Sequence, residues 1–254
     1  MKRPFEMLVI ADTHSGSRLG LTPPEWIPPD TAIVLKPMWE WYAKTVDAIG
    51  PVDMAVHVGD GVDGEGKKDD LEQLTTNTLT QAEIGYEALR RIRTRAWRLV
   101  YGTPFHTVGS YSYEEPLADA LKGSIKDTQL LNIRGHNFNF RHVVGRSDTA
   151  YAQGTQLFKE AVRDQLLAEL EDREAAEVVV RGHVHYYYRV ENSERTAVIC
   201  PCFQVPASVF GRRCRHFLYN IGILKISITK DEVLIRRIIM PLRIVVRKEY
   251  ECVK

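Results

Sequence analysis

Met7-Leu8-Val9-Ile10-Ala11-Asp12-Thr13-His14 is the stretch from which the rest of the chain is best read. The short apolar run reads as a strand, and it breaks off at Asp12 with a histidine two residues later. The same pattern recurs. Met54–Val58 runs into Gly59-Asp60-Gly61-Val62-Asp63, Trp97–Tyr101 into Gly102-Thr103-Pro104-Phe105-His106, and Val178–Arg181 into Gly182-His183-Val184-His185. A further strand, Asn137–Val144, carries His142 in or near its end. Helical spacing is read between these runs, over Lys36–Ile49, Asp70–Arg95, Glu114–Leu121 and Gln153–Arg173. Alternation of short apolar runs with helices makes the fold class α/β and layered.

Later runs at Tyr186–Val190, Ala197–Cys200, Ile221–Ile228 and Val233–Ile239 read as antiparallel strands, the last two joined by a turn at Thr229-Lys230-Asp231-Glu232. In the first helix Met38, Trp41, Tyr42, Val46 and Ile49 share one face. In the last, Phe158, Val162, Leu166 and Leu170 form a stripe with Leu157 and Ala161 beside it. Both stripes are expected to face the core. Residues 15–35 contain four prolines around Trp26 and are no regular element; they are expected to be an active-site lid or a packed insertion.

The 254 residues suit one domain spanning 1–254, with a charged fraction of 26% and a hydrophobic fraction of 44%, ordinary for a soluble globular protein. A net charge of +1 advertises no polyanionic partner, although 22 of the 34 basic residues are Arg, which suits phosphate contacts. No run approaches the roughly 20 apolar residues that span a bilayer, so no membrane is expected and the cytoplasm is the default. Cys200, Cys202, Cys214 and Cys252 form no disulfide framework and are expected to be ordinary thiols.

Ligands of open α/β sheets bind outside the carboxyl ends of the strands. Asp and His gathered at four or five such ends would supply what a two-metal hydrolase needs: carboxylate and imidazole ligands, a bridging carboxylate and open positions for water and substrate. Singly each motif has a plainer reading. Asp12 would serve as a helix cap, Gly59-Asp60 as a turn, and His142 as a core or surface histidine. The ordered set, each after its own strand, favours a metal site.

The succession D-x-H, G-D-x-x-D, a Gly-led loop, a lone His and G-H-x-H resembles the calcineurin-like metallophosphoesterase superfamily, near its DNA repair exonuclease and phosphodiesterase branches. The match runs from Asp12 to His185. The resemblance implies a four-layered α-β-β-α sandwich and two divalent metal ions, manganese first, with iron, zinc and nickel also suited. It implies that Asp12, His14 and His185 hold one ion, Asp60 bridges both, and His142 and His183 hold the second, with Asp63 supporting its loop.

The third motif departs from the superfamily's Gly-Asn-His and following acid. Thr103 stands in the Asn position and Pro104 in the His position, with His106 two residues on. Thr103 is therefore the candidate ligand to the second ion. His106 is the candidate contact to the phosphate, a ligand itself, or a bystander in the loop.

The function expected is hydrolysis of phosphodiesters by a metal-activated water, with a nucleic acid as a candidate substrate and the basic runs Arg90–Arg98 and Arg212–Arg215 as candidate grips on its backbone. Phosphomonoester hydrolysis, and a binding module that keeps the fold without catalysis, are the alternatives. His57, His136 and His216 are set aside as site residues.

Overall fold

Phe5–Ile10 forms strand β1, and its side chains enter two different buried layers in alternation. Leu8 and Ile10 join one apolar cluster, while Met7 and Val9, with Ala11 just beyond the strand, join another. Burial on both faces is why the run is continuously apolar. The computed structural model describes residues 3–64, 72–103, 107–108, 111–147, 149, 152–205 and 219–241.

After β1 come α1 (Ala32–Ile49), β2 (Met54–Val58), α2 (Thr78–Leu89), β3 (Trp97–Val100), the two-residue pair β4 (Thr107–Val108) and β5 (Tyr111–Ser112), and α3 (Glu115–Ala120). Then follow β6 (Ser124–Lys126), β7 (Thr128–Ile133), β8 (His136–Arg141), α4 (Gln153–Leu170) and β9 (Val178–Arg181). The chain closes with β10 (Tyr188–Glu191), β11 (Thr196–Ile199), β12 (Gly222–Ile228) and β13 (Val233–Ile239).

One sheet has the order β13-β12-β1-β2-β3-β6, in which β1, β2, β3 and β6 are mutually parallel and β12 runs antiparallel to both of its neighbours, β1 and β13. The other runs β10-β11-β9-β8-β7, with β8, β9 and β11 parallel. β11 thus differs from the antiparallel expectation: it lies parallel to β9 and antiparallel only to β10.

Three apolar clusters separate four layers. Helices α1, α2 and α3 cover the first sheet through Tyr42, Leu89, Leu117, Leu8 and Leu99. Val9, Val58, Phe138, Phe140 and Val180 fill the space between the sheets. Leu157 and Ala161 of α4 cover the second sheet over Val179 and Ile199. The architecture is two mixed sheets flanked by helices, an α-β-β-α sandwich.

Several element boundaries differ from the sequence reading for identifiable reasons. α2 starts at Thr78, not Asp70, because Asn77 caps it: its Oδ1 accepts from the amides of Leu79 (3.0 Å) and Thr80 (3.2 Å). β6 and β7 are absent from the sequence reading because Ser124-Ile125-Lys126 is short and β7 mixes polar and apolar residues without a clean alternation.

The stripe on α4 is a clear correction. Phe158, Val162, Leu166 and Leu170 are exposed, and the buried residues are Leu157, Ala161, Asp164 and Ala168. A charged residue faces the sheet because Asp164 is fully partnered there, accepting from Asn139 Nδ2 (2.7 Å), Arg173 Nη2 (2.9 Å) and the Ala176 amide (2.7 Å).

The proline-rich stretch after His14 is packed. Leu21 is buried in the first cluster with Ile27 against it, and the Leu21 amide donates to Thr13 O at 2.8 Å. Among the described residues no helix is long and apolar enough to cross a membrane.

Candidate metal centre

Five strands, three mutually parallel in one sheet and two in the other, deliver polar residues to one rim. Asp12 and His14 follow β1, Asp60 follows β2, Thr103 follows β3, His142 follows β8, and His183 and His185 follow β9. Backbone bonds tie these turns together: Asp12 N to Gly59 O (3.0 Å), His14 N to Asp60 O (3.0 Å), and Gly182 N to His142 O (3.0 Å). Asp12, His14, Asp60, His183 and His185 all have positive φ, between 43° and 76°. Such backbone costs on the order of 1–3 kcal/mol per residue and persists where the surroundings impose it, commonly at functional sites.

The side chains converge in two groups. Asp12, His14 and His185 place one donor atom each within 4.8 Å of one another, and so do Asp60, His142 and His183. In the first group His185 Nε2 lies 3.3 Å from Asp12 Oδ1 and 3.3 Å from His14 Nε2. His14 Nδ1 meets Asp63 Oδ1 at 3.2 Å, which places the ring proton on Nδ1 and turns the Nε2 lone pair toward Asp12 and His185.

The second group repeats the device. His142 Nδ1 donates to Val58 O at 2.7 Å, and its Nε2 faces Asp60 Oδ2 at 3.1 Å. That same Oδ2 is 4.0 Å from His14 Nε2, so Asp60 stands between the groups. The His183 amide donates to both oxygens of Asp12 (3.1 and 3.2 Å), and its ring packs edge-on against His142.

Electrostatics separate the histidines. Burial pulls His14 down to about 4, against the opposing pull of Asp63 and Asp60, so its ring is neutral near pH 7. Burial also lowers His183. Burial would likewise lower His142, but the charge of Asp60, its hydrogen bond and the charge of Asp12 overcome it and raise that ring to about 10. A buried imidazole pressed on a buried carboxylate needs a positive charge between them. The ring proton supplies it, or a cation does. Nitrogen and carboxylate donors at these positions fit a divalent ion of intermediate softness.

Thr103 is buried and gives Asp60 Oδ1 a hydrogen bond from its amide at 2.7 Å. Gly102 makes that approach feasible: a Cβ there would stand 2.1 Å from Asp60 Oδ1. His106 lies outside the described residues.

Sequence reasoning missed Glu114. This residue, preceding α3, is buried, and its two oxygens accept from the Gly61 and Gly102 amides at 2.6 Å each. One carboxylate thereby clamps the residue after Asp60 to the residue before Thr103. Burial and the charge of Asp60 raise it to about 6 against those two amides. Its only sequence signal is an acid among the polar residues leading into a helix, which is too common to single out.

Other candidates sit elsewhere. His57 is buried toward the helical layer with its Nε2 2.9 Å from Thr13 Oγ1, and His136 pairs with Glu177 at 2.7 Å. Arg181 turns away from the rim to Glu160 Oε2 (3.1 Å) and Asn139 Oδ1 (3.0 Å). Tyr186 is buried in the α4 layer, and Arg237 lies over the ring of Tyr187. Cys200 and Cys202 are buried free thiols, and Cys202 Sγ lies 3.6 Å from His185 O.

Of the Arg90–Arg98 run, Arg98 lies within β3, and residues 90–95 lie at the end of the first sheet opposite the rim. Arg93 O accepts from Val52 N ahead of β2, and Arg91 pairs with Asp47 at the end of α1. Residues 90–95 therefore do not flank the site. His216, Cys214, Cys252 and Arg212–Arg215 lie outside the described residues.

No family model matches the sequence, and no curated protein matches it either. Solved structures of similar shape are found. An archaeal phosphodiesterase is 14% identical, with 92% of this chain and 99% of that chain covered and a TM-score of 0.48. A predicted phosphoesterase from Streptococcus pneumoniae is 13% identical, covering 94% of this chain and 100% of that chain at a TM-score of 0.42. Vps29 from Entamoeba histolytica in complex with zinc is 13% identical, covering 92% and 98% at a TM-score of 0.42.

Proposed function

We propose that this chain is a calcineurin-like metallophosphoesterase that holds two divalent cations and hydrolyses phosphodiesters. The observation that supports it most is the position of Asp60, whose Oδ2 faces His142 Nε2 at 3.1 Å and His14 Nε2 at 4.0 Å, one carboxylate oxygen addressed by both donor groups. Asp12, His14 and His185 would hold one cation, His142 and His183 the other, with Asp60 between them. Thr103 is the proposed further oxygen donor on the second side. Cations bound there supply an activated water and a clamp on the phosphate oxygens.

The chain's own groups prepare that chemistry. Asp63 and the Val58 carbonyl each take the Nδ1 proton of a histidine, so both rings present Nε2 inward. His183 is the partly exposed member of the six ligand candidates, which marks the side from which substrate enters. His106, three residues beyond Thr103, is the proposed group that meets the phosphate or protonates the leaving oxygen.

A diester fits better than a monoester. A monoester dianion calls for a fixed cationic side chain, and Arg181, the arginine next to the His183–His185 pair, is committed to Glu160. Nucleic acid is one natural diester. Its support is weaker because Arg90–Arg95 lies at the far end of the sheet.

The test is hydrolysis of bis(p-nitrophenyl) phosphate and p-nitrophenyl phosphate with manganese, iron, zinc or nickel, followed by single- and double-stranded DNA at two salt concentrations. Metal-dependent turnover with diester ahead of monoester is expected. A large monoester preference favours the phosphatase reading. Metal binding without turnover of any substrate favours a binding module, the reading that the altered Gly102-Thr103-Pro104 motif supports.

A further inference from the structure

The exposed face of α4 has no partner among the described residues, yet it carries a row of large apolar side chains. Phe158 (52% exposed), Val162 (41%), Leu166 (56%) and Leu170 (83%) stand four residues apart, with Leu167 beside them. Four-residue spacing makes one continuous ridge along the helix. The ridge continues into a shallow groove between α4 and the β10–β11 hairpin, lined by Phe158, Val162, Gln165, Val190 and Arg195. Scattered exposed leucines need no explanation, but a contiguous apolar ridge on a soluble domain marks a contact surface.

We infer that this ridge is where two copies of the chain meet, with their α4 helices antiparallel. Charge selects the occupant. The exposed residues of the N-terminal half include Lys159 and Arg163, and those after Leu167 include Glu169, Glu171 and Asp172. Arg173 offsets Glu171, to which it is bound along with Asp164, and Arg163 lies 4.0 Å from Glu160, which leaves Lys159 at the basic end and Glu169 and Asp172 at the acidic end to meet a partner. A second copy running antiparallel about a point between Val162 and Leu166 sets basic half against acidic half twice over, and brings the Phe158 end of one ridge toward the Leu170 end of the other. A parallel copy would oppose like charges. A two-fold contact of this kind is self-complementary, as closed dimers require.

Size sets the strength. An 18-residue helix is about 27 Å long and about 10 Å wide, so each copy contributes roughly 300 Å², well below the about 800 Å² per partner of a standard interface. The contact totals roughly 600 Å², below the roughly 1,000 Å² that stable interfaces clear, so the dimer is weak and transient. α4 lies on the outer side of the second sheet and bears none of the proposed ligands, so this inference is independent of the proposed chemistry.

Sedimentation velocity on the full chain, run from about 1 µM to about 200 µM, reads a weak self-association. A reversible monomer–dimer shift is expected. Leu166→Glu, an exposed change that leaves the core untouched, should weaken dimerisation at least tenfold without altering diester turnover. Lys159→Glu should weaken it several-fold, and adding Glu169→Lys should restore it. A chain that stays monomeric at the highest concentration overturns the proposal. So does a dimer insensitive to Leu166→Glu, and a dimer weakened by Lys159→Glu but not restored by the second change overturns the antiparallel arrangement.

Discussion

Thr103 gives one oxygen of Asp60 two hydrogen bonds, from its backbone amide at 2.7 Å and from its hydroxyl at 3.2 Å. Both donors go to Oδ1, which leaves Oδ2 turned toward His142 and His14. The Thr103 side chain therefore does at least one job for the Asp60 carboxylate: it orients it. Thr103→Val keeps the amide bond and loses the hydroxyl. A buried neutral hydrogen bond contributes about 1 kcal/mol, so the second cation should bind roughly fivefold more weakly, with turnover falling in step. Metal titration of the variant checks this; unchanged affinity would leave the hydroxyl without a role.

Glu114 offers a second handle on the same carboxylate. Its oxygens accept from the amides of Gly61 and Gly102. Glu114→Gln would turn an NH₂ group against one amide, leaving a buried donor unpaired at a cost of about 1–3 kcal/mol. The expected result is a fold of lowered stability in which second-site metal affinity falls at least tenfold and first-site affinity changes little. Equal loss at both sites would show that Glu114 supports the fold generally and not the Asp60 loop.

Protonation should distinguish the two sites. With no cation present His142 is raised to about 10 from 6.5, so at pH 7 its ring carries a proton that a cation must displace. Its charge favours the folded state below the unfolded value of 6.5, and that contribution is lost as pH rises through about 10. Second-site affinity should therefore climb up to tenfold per pH unit through the neutral range, with close to one proton released per ion bound. His14, lowered to about 4, is already neutral there and adds no such slope to its own group. Calorimetry in buffers of different ionisation enthalpy counts the protons.

Asp63 is buried and meets His14 Nδ1 at 3.2 Å. Asp63→Ala removes the group that fixes this tautomer, and losses of partners that orient ligands in this way typically weaken metal binding about 10–100-fold. First-site affinity should fall in that range while the fold remains. Unaltered first-site binding would mean that the ring holds its orientation by packing alone.

Much of this arrangement was legible in the sequence because chemistry and topology coincide. An apolar strand that ends on Asp12, Asp60 or His183 announces both the strand and the polar rim, and the structure brings those residues together. Beyond element boundaries, the strands β6 and β7 and the direction of β11, three things were not legible. Glu114 acts through backbone amides on two distant loops, and local spacing carries no trace of that. On α4 the period alone cannot show that Asp164, satisfied by Asn139, Arg173 and Ala176, takes the buried face. The Arg90–Arg98 run is a candidate nucleic-acid grip by composition, and only the chain path shows that it begins at the opposite end of β3 from Thr103.

The central claim is that Asp60 serves two cations at once, and the most direct test compares metal content and diester turnover in the intact chain and in Asp60→Asn. Asn tolerates the positive φ of 52° at this position, so the variant should fold. The account predicts two equivalents of manganese in the parent chain, at most one in the variant, and loss of diester turnover. A parent chain that never binds more than one ion, or an Asp60→Asn variant that keeps two ions and near-normal turnover, would contradict it.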